Sequence, residues 1–303
     1  MLKSYGVCLS LTAVLLGSCS TGLKEYRQIT MEATLPETEA SSDKTNGKTV
    51  SEGSLSLDYL AKAEAVIARR LDGFGIDDAE VTSTGNPDRI MVKLPLDVDV
   101  ETAEMVLTRR GQLYLRNEKP ETEADLSVLI EELQRLLVEQ NTLLQTQKTD
   151  EAALLTADIE EKRNAIARLF EPTELTGDRL KKARAVQEDG DIWAVRIQFD
   201  EKGAEMFAAQ TKKIAGTGRV IGLFLDNVLL SMPAVSVEFA KTGITGGEAL
   251  IAGNFTEAAA KELEIQLNSG ALPVYLKTVE ITSSDEAATE ATDTNEDSDS
   301  KNE

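Results

Sequence analysis

Leu16-Gly17-Ser18-Cys19 is a stretch whose residue types and order prescribe a covalent reaction. A cysteine behind two small residues and a leucine, preceded by Lys3 and an apolar run at residues 6–16, has the form of a lipoprotein processing site. The chemistry expected is diacylation of the Cys19 sulfur, cleavage before Cys19, and acylation of the new amino group. Two or three chains, at about 0.8 kcal/mol per buried methylene, would hold the protein stably on a bilayer. The apolar run is too short to persist as a spanning helix, and Cys8 lacks the flanking residues. Ser20 rather than Asp follows Cys19, which points to the outer membrane of a double-membraned cell.

Three other constellations invite chemistry and yield to simpler accounts. Asp97, Asp99 and Glu101 alternate like calcium ligands, but no glycine sits where a tight calcium loop needs one, and no bidentate glutamate closes the set. Helix capping explains them better. Gly216-Thr217-Gly218-Arg219 resembles a phosphate cradle, yet it precedes a strand instead of opening a helix, so its amides would not converge. Trp193 is in phase with Val195, Ile197 and Phe199 and reads as core.

Composition removes whole reaction classes. There are 2 cysteines and no histidine. One cysteine falls in the leader and the other takes lipid. The folded body is therefore expected to lack disulfides, thiolate nucleophiles, histidine bases and thiolate or imidazole zinc sites. No cofactor or metal and no enzymatic activity is expected. A formal charge of −21 argues against nucleic acid, whose binding is dominated by phosphate neutralisation.

The elements that must support any surface follow from periodicity. Residues 1–18 are the signal peptide, and residues 19–56 are polar enough to form a disordered tether reaching roughly 30 Å. Leu60, Ala63, Ile67, Leu71 and Phe74 mark a helix that stops at Gly73 and Gly75. Val81, then Ile90, Val92 and Leu94, mark a strand pair ended by Pro95. Asp99 caps a helix carrying Ala103, Val106 and Leu107, and residues 112–116 read as a third strand. The order suggests an α+β fold with an antiparallel sheet.

Residues 121–170 carry two amphipathic blocks joined at residues 146–150, which predicts an antiparallel helical hairpin. The blocks are too short and irregular for a long coiled coil, and they either cover each other or leave an apolar seam for a partner. Beyond Leu175 the spacing predicts a helix through Leu180 and Ala183, then a strand through Trp193 and Phe199, and a helix opened by Asp200. Residues 220–225 and 228–232 form a hairpin turned by Asp226-Asn227 and ended by Pro233. Thr256 caps a last helix that stops at Gly270, and residues 274–281 form the final strand. Residues 282–303 are an acidic disordered tail.

Several motifs together resemble one family. Ala68-Arg69-Arg70-Leu71-Asp72-Gly73-Phe74-Gly75-Ile76, Asp88-Arg89-Ile90-Met91-Val92-Lys93-Leu94-Pro95 and Gly111-Gln112-Leu113 are similar to the base of the first periplasmic domain of SecD, an accessory subunit of the bacterial Sec translocon. Phe199-Asp200-Glu201-Lys202-Gly203-Ala204, Leu225-Asp226-Asn227, Met232-Pro233 and Ser269-Gly270-Ala271-Leu272-Pro273 are similar to its head and its return to the base. Ordered motifs of this kind are far more specific than one glycine pattern. Leu96 stands where the family usually has glycine. No run of eighteen apolar residues replaces the membrane helices that follow in SecD, so this chain is not expected to use proton-motive force.

The resemblance implies a ferredoxin-like base (residues 57–118, with a return at 256–281), an inserted helical hairpin (119–172) and an α+β head (173–255). It implies a lipid-anchored, periplasm-facing accessory of export that binds unfolded exported polypeptides or SecD- and SecF-like translocon components. The other reading is an envelope scaffold whose hairpin binds a partner or a second copy. Gly246 and Gly247 are candidate hinge positions between head and base, and Met232 and Phe239 are candidate polypeptide contacts.

Overall fold

The computed structural model describes residues 25–35, 57–84, 86, 88–188 and 190–284. Cys19, the signal segment and residues 285–303 of the acidic tail lie outside the described residues, whereas Thr282 and Ser283, expected in that tail, belong to the last strand. Two cores, each with its own helices and antiparallel strands, are stacked along the chain, and a helical hairpin leans on the second.

The first core is built on strands β1 (Tyr26–Thr34), β2 (Glu80–Ser83), β3 (Arg89–Pro95) and β11 (Tyr275–Ser283), in the order β11-β1-β3-β2. Helices α1 (Leu57–Gly73) and α2 (Val100–Thr108) pack on it. The chain order is strand, helix, two strands, helix, strand, with the last strand beside the first, as in a ferredoxin-like unit. Alternation decides which face is buried. Ile90, Val92 and Leu94 are fully buried against Leu60, Ala63, Ile67 and Leu71 of α1, while Met91 and Lys93 point the other way. The Asp99 carboxylate caps α2, accepting from the Thr102 amide at 2.9 Å.

Strand β1 corrects the expected tether. Averaged composition makes residues 19–56 look unable to fold, but a strand needs an apolar residue only at every second position. Ile29, Met31 and Ala33 provide that period, and Ile29 pairs with Val92 on one side and Ile281 on the other. Burying Ile29 and Met31 contributes about 1.5–3 kcal/mol each. The central strand of the unit thus comes from a segment whose composition predicts disorder.

The second core joins two sheets. One has the order β5 (Phe170–Glu171), β4 (Leu113–Glu118), β8 (Ile221–Leu225), β9 (Val228–Ser231); the other has β10 (Glu248–Phe255), β7 (Trp193–Phe199), β6 (Leu180–Gln187). Leu113, Leu115, Ile221 and Leu223 meet Val195, Ile197, Phe199 and Ile251, with Phe207 of helix α5 (Glu201–Ile214) and Leu263 and Leu267 of helix α6 (Glu257–Ser269) completing the core. The expected boundaries at 118/119 and 255/256 therefore move. Strand β4 pairs with β8, and α6 packs on the second core, so the return to the first core begins near Leu272.

The predicted helix through Leu180 and Ala183 is strand β6, preceded by a short 3-10 turn at Gly177–Arg179. Its free edge is covered by α6. The Ala183 amide donates to the Asn268 side-chain oxygen at 2.8 Å, Asn268 donates back to the Ala183 carbonyl at 3.0 Å, and the Ala185 amide donates to the Glu264 carboxylate at 2.8 Å. Main-chain groups that an edge strand leaves open are met by helix side chains, a partnership no local pattern reveals.

Helices α3 (Glu123–Gln145) and α4 (Thr149–Arg168) form the expected hairpin. Its root is tied to the sheet through Leu126, Ile166, Phe170 and Phe224, with the two phenylalanine rings edge to face at 5.0 Å. Lys162 bridges to Glu132 at 2.7 Å across the pair. Further out, Val138 (67%) and Leu154 (77%) are exposed. Among the described residues, no helix is long and apolar enough to cross a membrane.

Candidate functional site

The chain passes between the two cores twice, once from α2 to β4 and once from α6 to β11. These crossings lie side by side. The Leu272 amide donates to the Arg110 carbonyl at 2.9 Å, and Arg110 Nε donates to the Leu272 carbonyl at 3.3 Å. We call this paired region the neck.

Arg70, from the last turn of α1, is driven into the neck and is 1% exposed. Its guanidinium donates to the carbonyls of Val106 (3.0 Å), Arg109, Arg110 (2.7 Å) and Gly270 (3.4 Å). Acceptors therefore come from both crossings. Arg69 beside it donates through Nε and Nη2 to the Ser269 carbonyl at 3.0 and 2.8 Å. Burial pushes Arg70 down to about 10, with the Asp226 carboxylate opposing that shift and Arg69 adding to it. The group stays charged at neutral pH.

Asp226 closes the neck from the second core. It occupies the β8–β9 turn at φ +55°, a conformation Asp tolerates better than most side chains. Its carboxylate accepts from the Gly111 amide (3.2 Å) and the Gln112 amide (2.9 Å), while its own amide donates to the Gln112 carbonyl at 2.7 Å. Gly111 is at φ +73°, and a Cβ there would stand 2.9 Å from Arg70 Nη2. Left-handed backbone and close approach of the guanidinium both require glycine at that position.

Next to the neck opens a cleft of about 520 Å³ lined by Arg109, Arg110, Tyr114, Arg116, Asn227 and Tyr275, with Thr108 and Asp226 on its wall. Arg110 lies over the Tyr275 ring at 5.0 Å, and Arg116 over Tyr114 and Phe224 at 4.9 and 4.7 Å. Burial lowers the Arg116 pKa, and Tyr114 opposes that shift.

The residues singled out by sequence fall elsewhere. Gly246 and Gly247 enter β10 inside the second core, where the Gly247 carbonyl accepts from the Phe199 amide at 2.8 Å and an added Cβ would stand 2.5 Å from Ala204 Cβ. That placement is inside the second core, whereas the chain crosses between cores at Gly111 and Gly270. Met232 is 42% exposed just past edge strand β9, but Phe239 packs half-buried against the second core. Gly216 and Gly218 form a turn ahead of β8, and Trp193 packs on the core. Among the described residues, no group of three or more Cys, Asp or Glu side chains is arranged to hold a metal ion.

Arg69-Arg70, Gly111-Gln112, Asp226-Asn227 and Ser269-Gly270 stand far apart in sequence and meet at the neck. Sequence reasoning quotes these residues as separate motifs and misses their convergence. Its available signal was an arginine placed in the buried stripe of α1, one residue before Leu71.

Comparison with known proteins accounts for the motifs. Residues 60–120 match the family model described as protein translocase subunit SecDF, P1 domain, N-terminal, and residues 142–274 match that described as SecDF, P1 head subdomain. SecD of Synechocystis sp. is 39% identical over 228 residues, covering 74% of this chain and 48% of that protein. SecD of Prochlorococcus marinus is 32% identical over 257 residues, covering 74% of this chain and 51% of that protein. The chain thus spans about half the length of the curated relatives it matches. A crystal structure of SecDF in a super-membrane-facing form superposes with a TM-score of 0.61 at 24% identity, over 85% of this chain and 30% of that one. Another solved structure, described as that of a membrane component SecDF that enhances protein export, superposes with a TM-score of 0.58 at 24% identity, over 84% of this chain and 99% of that one. With both parts of the P1 domain present in order and joined at one neck, the chain belongs to the SecD/SecDF family of protein translocase subunits.

Proposed function

We propose that this protein is a non-enzymatic accessory of protein export, a P1 module on the periplasmic side that binds polypeptides in transit or docks beside SecD- and SecF-like components, with no proton-coupled step of its own. The observation carrying this reading is the presence of both P1 family matches in their family order. Physical support comes from edge strand β9, whose free side can pair with an extended chain, and from Met232 exposed beside it. In this reading acyl groups on Cys19 hold the module at the membrane. The neck is the joint that orients the head on the base, with Gly111 and Gly270 at the two crossings.

A specific observation favours a second reading. Val138 and Leu154 are exposed on the hairpin, and residues 121–141 fall between the two family matches. A hairpin with apolar side chains in solvent suits a folded envelope partner or a second copy. Photo-crosslinking from Met232 and from Val138 separates the two: many unfolded clients at Met232 support export binding, and a single folded partner at Val138 supports the scaffold. Absence of any export client at Met232 refutes the leading reading. Lipidation is tested by mass spectrometry of the mature amino-terminal peptide, where Cys19→Ser abolishes the acyl mass.

A further inference from the structure

We propose that the arginine cleft beside the neck binds carboxylates of an acidic polypeptide segment. This inference rests on the export-binding reading and specifies a substrate class for it. Carboxylates exceed basic groups, 53 Asp and Glu to 32 Lys and Arg, yet the Arg116 guanidinium has no carboxylate or carbonyl partner among the described residues. Two rings hold it in place. Tyr114 and Phe224, cross-strand neighbours on β4 and β8, both lie against the guanidinium, which leaves its N–H edge free to donate to a planar, two-oxygen ligand. Gly222 stands opposite Arg116 in the ladder, and a Cβ there would meet Phe224 and Phe170 ring carbons at 2.5 and 2.7 Å. The aromatic contact depends on that glycine.

The rest of the cleft repeats the chemistry. Arg110 is fixed over Tyr275 and spends Nε on the Leu272 carbonyl, so its terminal nitrogens remain for a ligand. Arg109 lies at the rim, where it reaches Glu262 at 3.4 Å. The one acid in the lining, Asp226, has both oxygens engaged by the Gly111 and Gln112 amides and does not quench the arginines through a direct hydrogen bond. Asn227 and Thr108 add uncharged groups that suit a polypeptide backbone. A phosphate could use the same guanidinium forks, so competition by inorganic phosphate separates it from a carboxylate in the test.

The test is fluorescence anisotropy of the full-length protein with a labelled Glu-Ser repeat peptide at low ionic strength, beside a Gln-Ser repeat of the same length. The expected result is salt-sensitive binding of the Glu peptide, at least tenfold weaker for the Gln peptide. Arg116→Gln and Arg110→Gln each lower affinity about tenfold, with Arg109→Gln at the rim as a milder variant and circular dichroism to verify folding. Equal binding of both peptides, or unchanged affinity in both Arg116→Gln and Arg110→Gln, overturns the proposal. So does complete competition by millimolar inorganic phosphate. The chain's own residues 285–303 contain 8 acids, so a full-length variant with those acids changed to amides forms a further arm. Unchanged affinity there supports a separate polypeptide as ligand, whereas a tenfold gain shows that the tail itself fills the cleft and overturns the assignment. Should client crosslinking at Met232 persist while the Glu peptide fails to bind, only the cleft assignment falls; loss of both removes the export reading with it.

Discussion

Replacing Arg70 with methionine tests whether the neck is held by one buried cation. The substitution keeps a flexible apolar stem of similar reach and removes the guanidinium. The Arg110 carbonyl still receives the Leu272 amide, but those of Val106 and Arg109 lose their Arg70 donor. Stripping a buried acceptor costs about 1–3 kcal/mol, so two such carbonyls account for about 2–6 kcal/mol. The desolvation penalty of the guanidinium is returned, which brings the net loss to about 1–4 kcal/mol. In a domain of this size that corresponds to a fall in Tm of about 2–15 °C.

Thermal and urea unfolding followed by circular dichroism measure the loss, and hydrogen exchange at the Leu272 amide reports whether the crossings separate. Arg70→Lys is expected to recover only part of the stability, because an ammonium cannot span carbonyls on both crossings. The pH dependence carries a sign. The folded-state value of about 10 lies below the ordinary guanidinium value, so the unfolded chain holds more protons above about pH 10, and the contribution of this group to stability rises with pH there. Below about pH 9 the contribution is flat. A parent and an Arg70→Met variant within about 0.5 kcal/mol of each other, with unchanged exchange at Leu272, would refute the assignment of the neck to Arg70.

Further outcomes follow from single contacts. Asp226→Asn keeps a residue that tolerates positive φ but loses the carboxylate facing the Gly111 and Gln112 amides, with an expected cost of about 1–3 kcal/mol in urea titration. Ile29→Ala is expected to cost about 2–5 kcal/mol, since the side chain is fully buried in a central strand; a neutral result would detach β1 from the sheet. The double substitution Val138→Ser and Leu154→Ser is expected to leave Tm within about 2 °C, because both side chains are already in solvent. Partner capture, and not stability, is where the scaffold reading requires that pair to act.

Much of the fold was legible because a buried face repeats at a fixed interval. Leu60 to Leu71 on α1, Ile90 to Leu94 on β3 and the Leu126 and Ile166 stripes announced their elements before any partner was known. Caps were equally local: Asp99, Asp200 and Thr256 each accept from an amide three residues ahead. Misreadings arose where a neighbour supplied the missing half. Strand β1 is polar on one side and gains its place from β3 and β11. Strand β6 takes its edge partners from α6, about eighty positions away.

Residue order alone established most of the element types, the family motifs and the absence of histidine chemistry, since these depend on spacing and composition. Packing decided the rest. That Arg70 joins carbonyls of two crossings, that Asp226 reaches Gly111, and that Arg116 lies against two rings without an acid follow from backbone segments brought together by burial. Hydrogen bonds and ring contacts act over a few ångströms, so, the Arg116–Tyr114 contact aside, chain distances of thirty to two hundred residues hide them until the cores form.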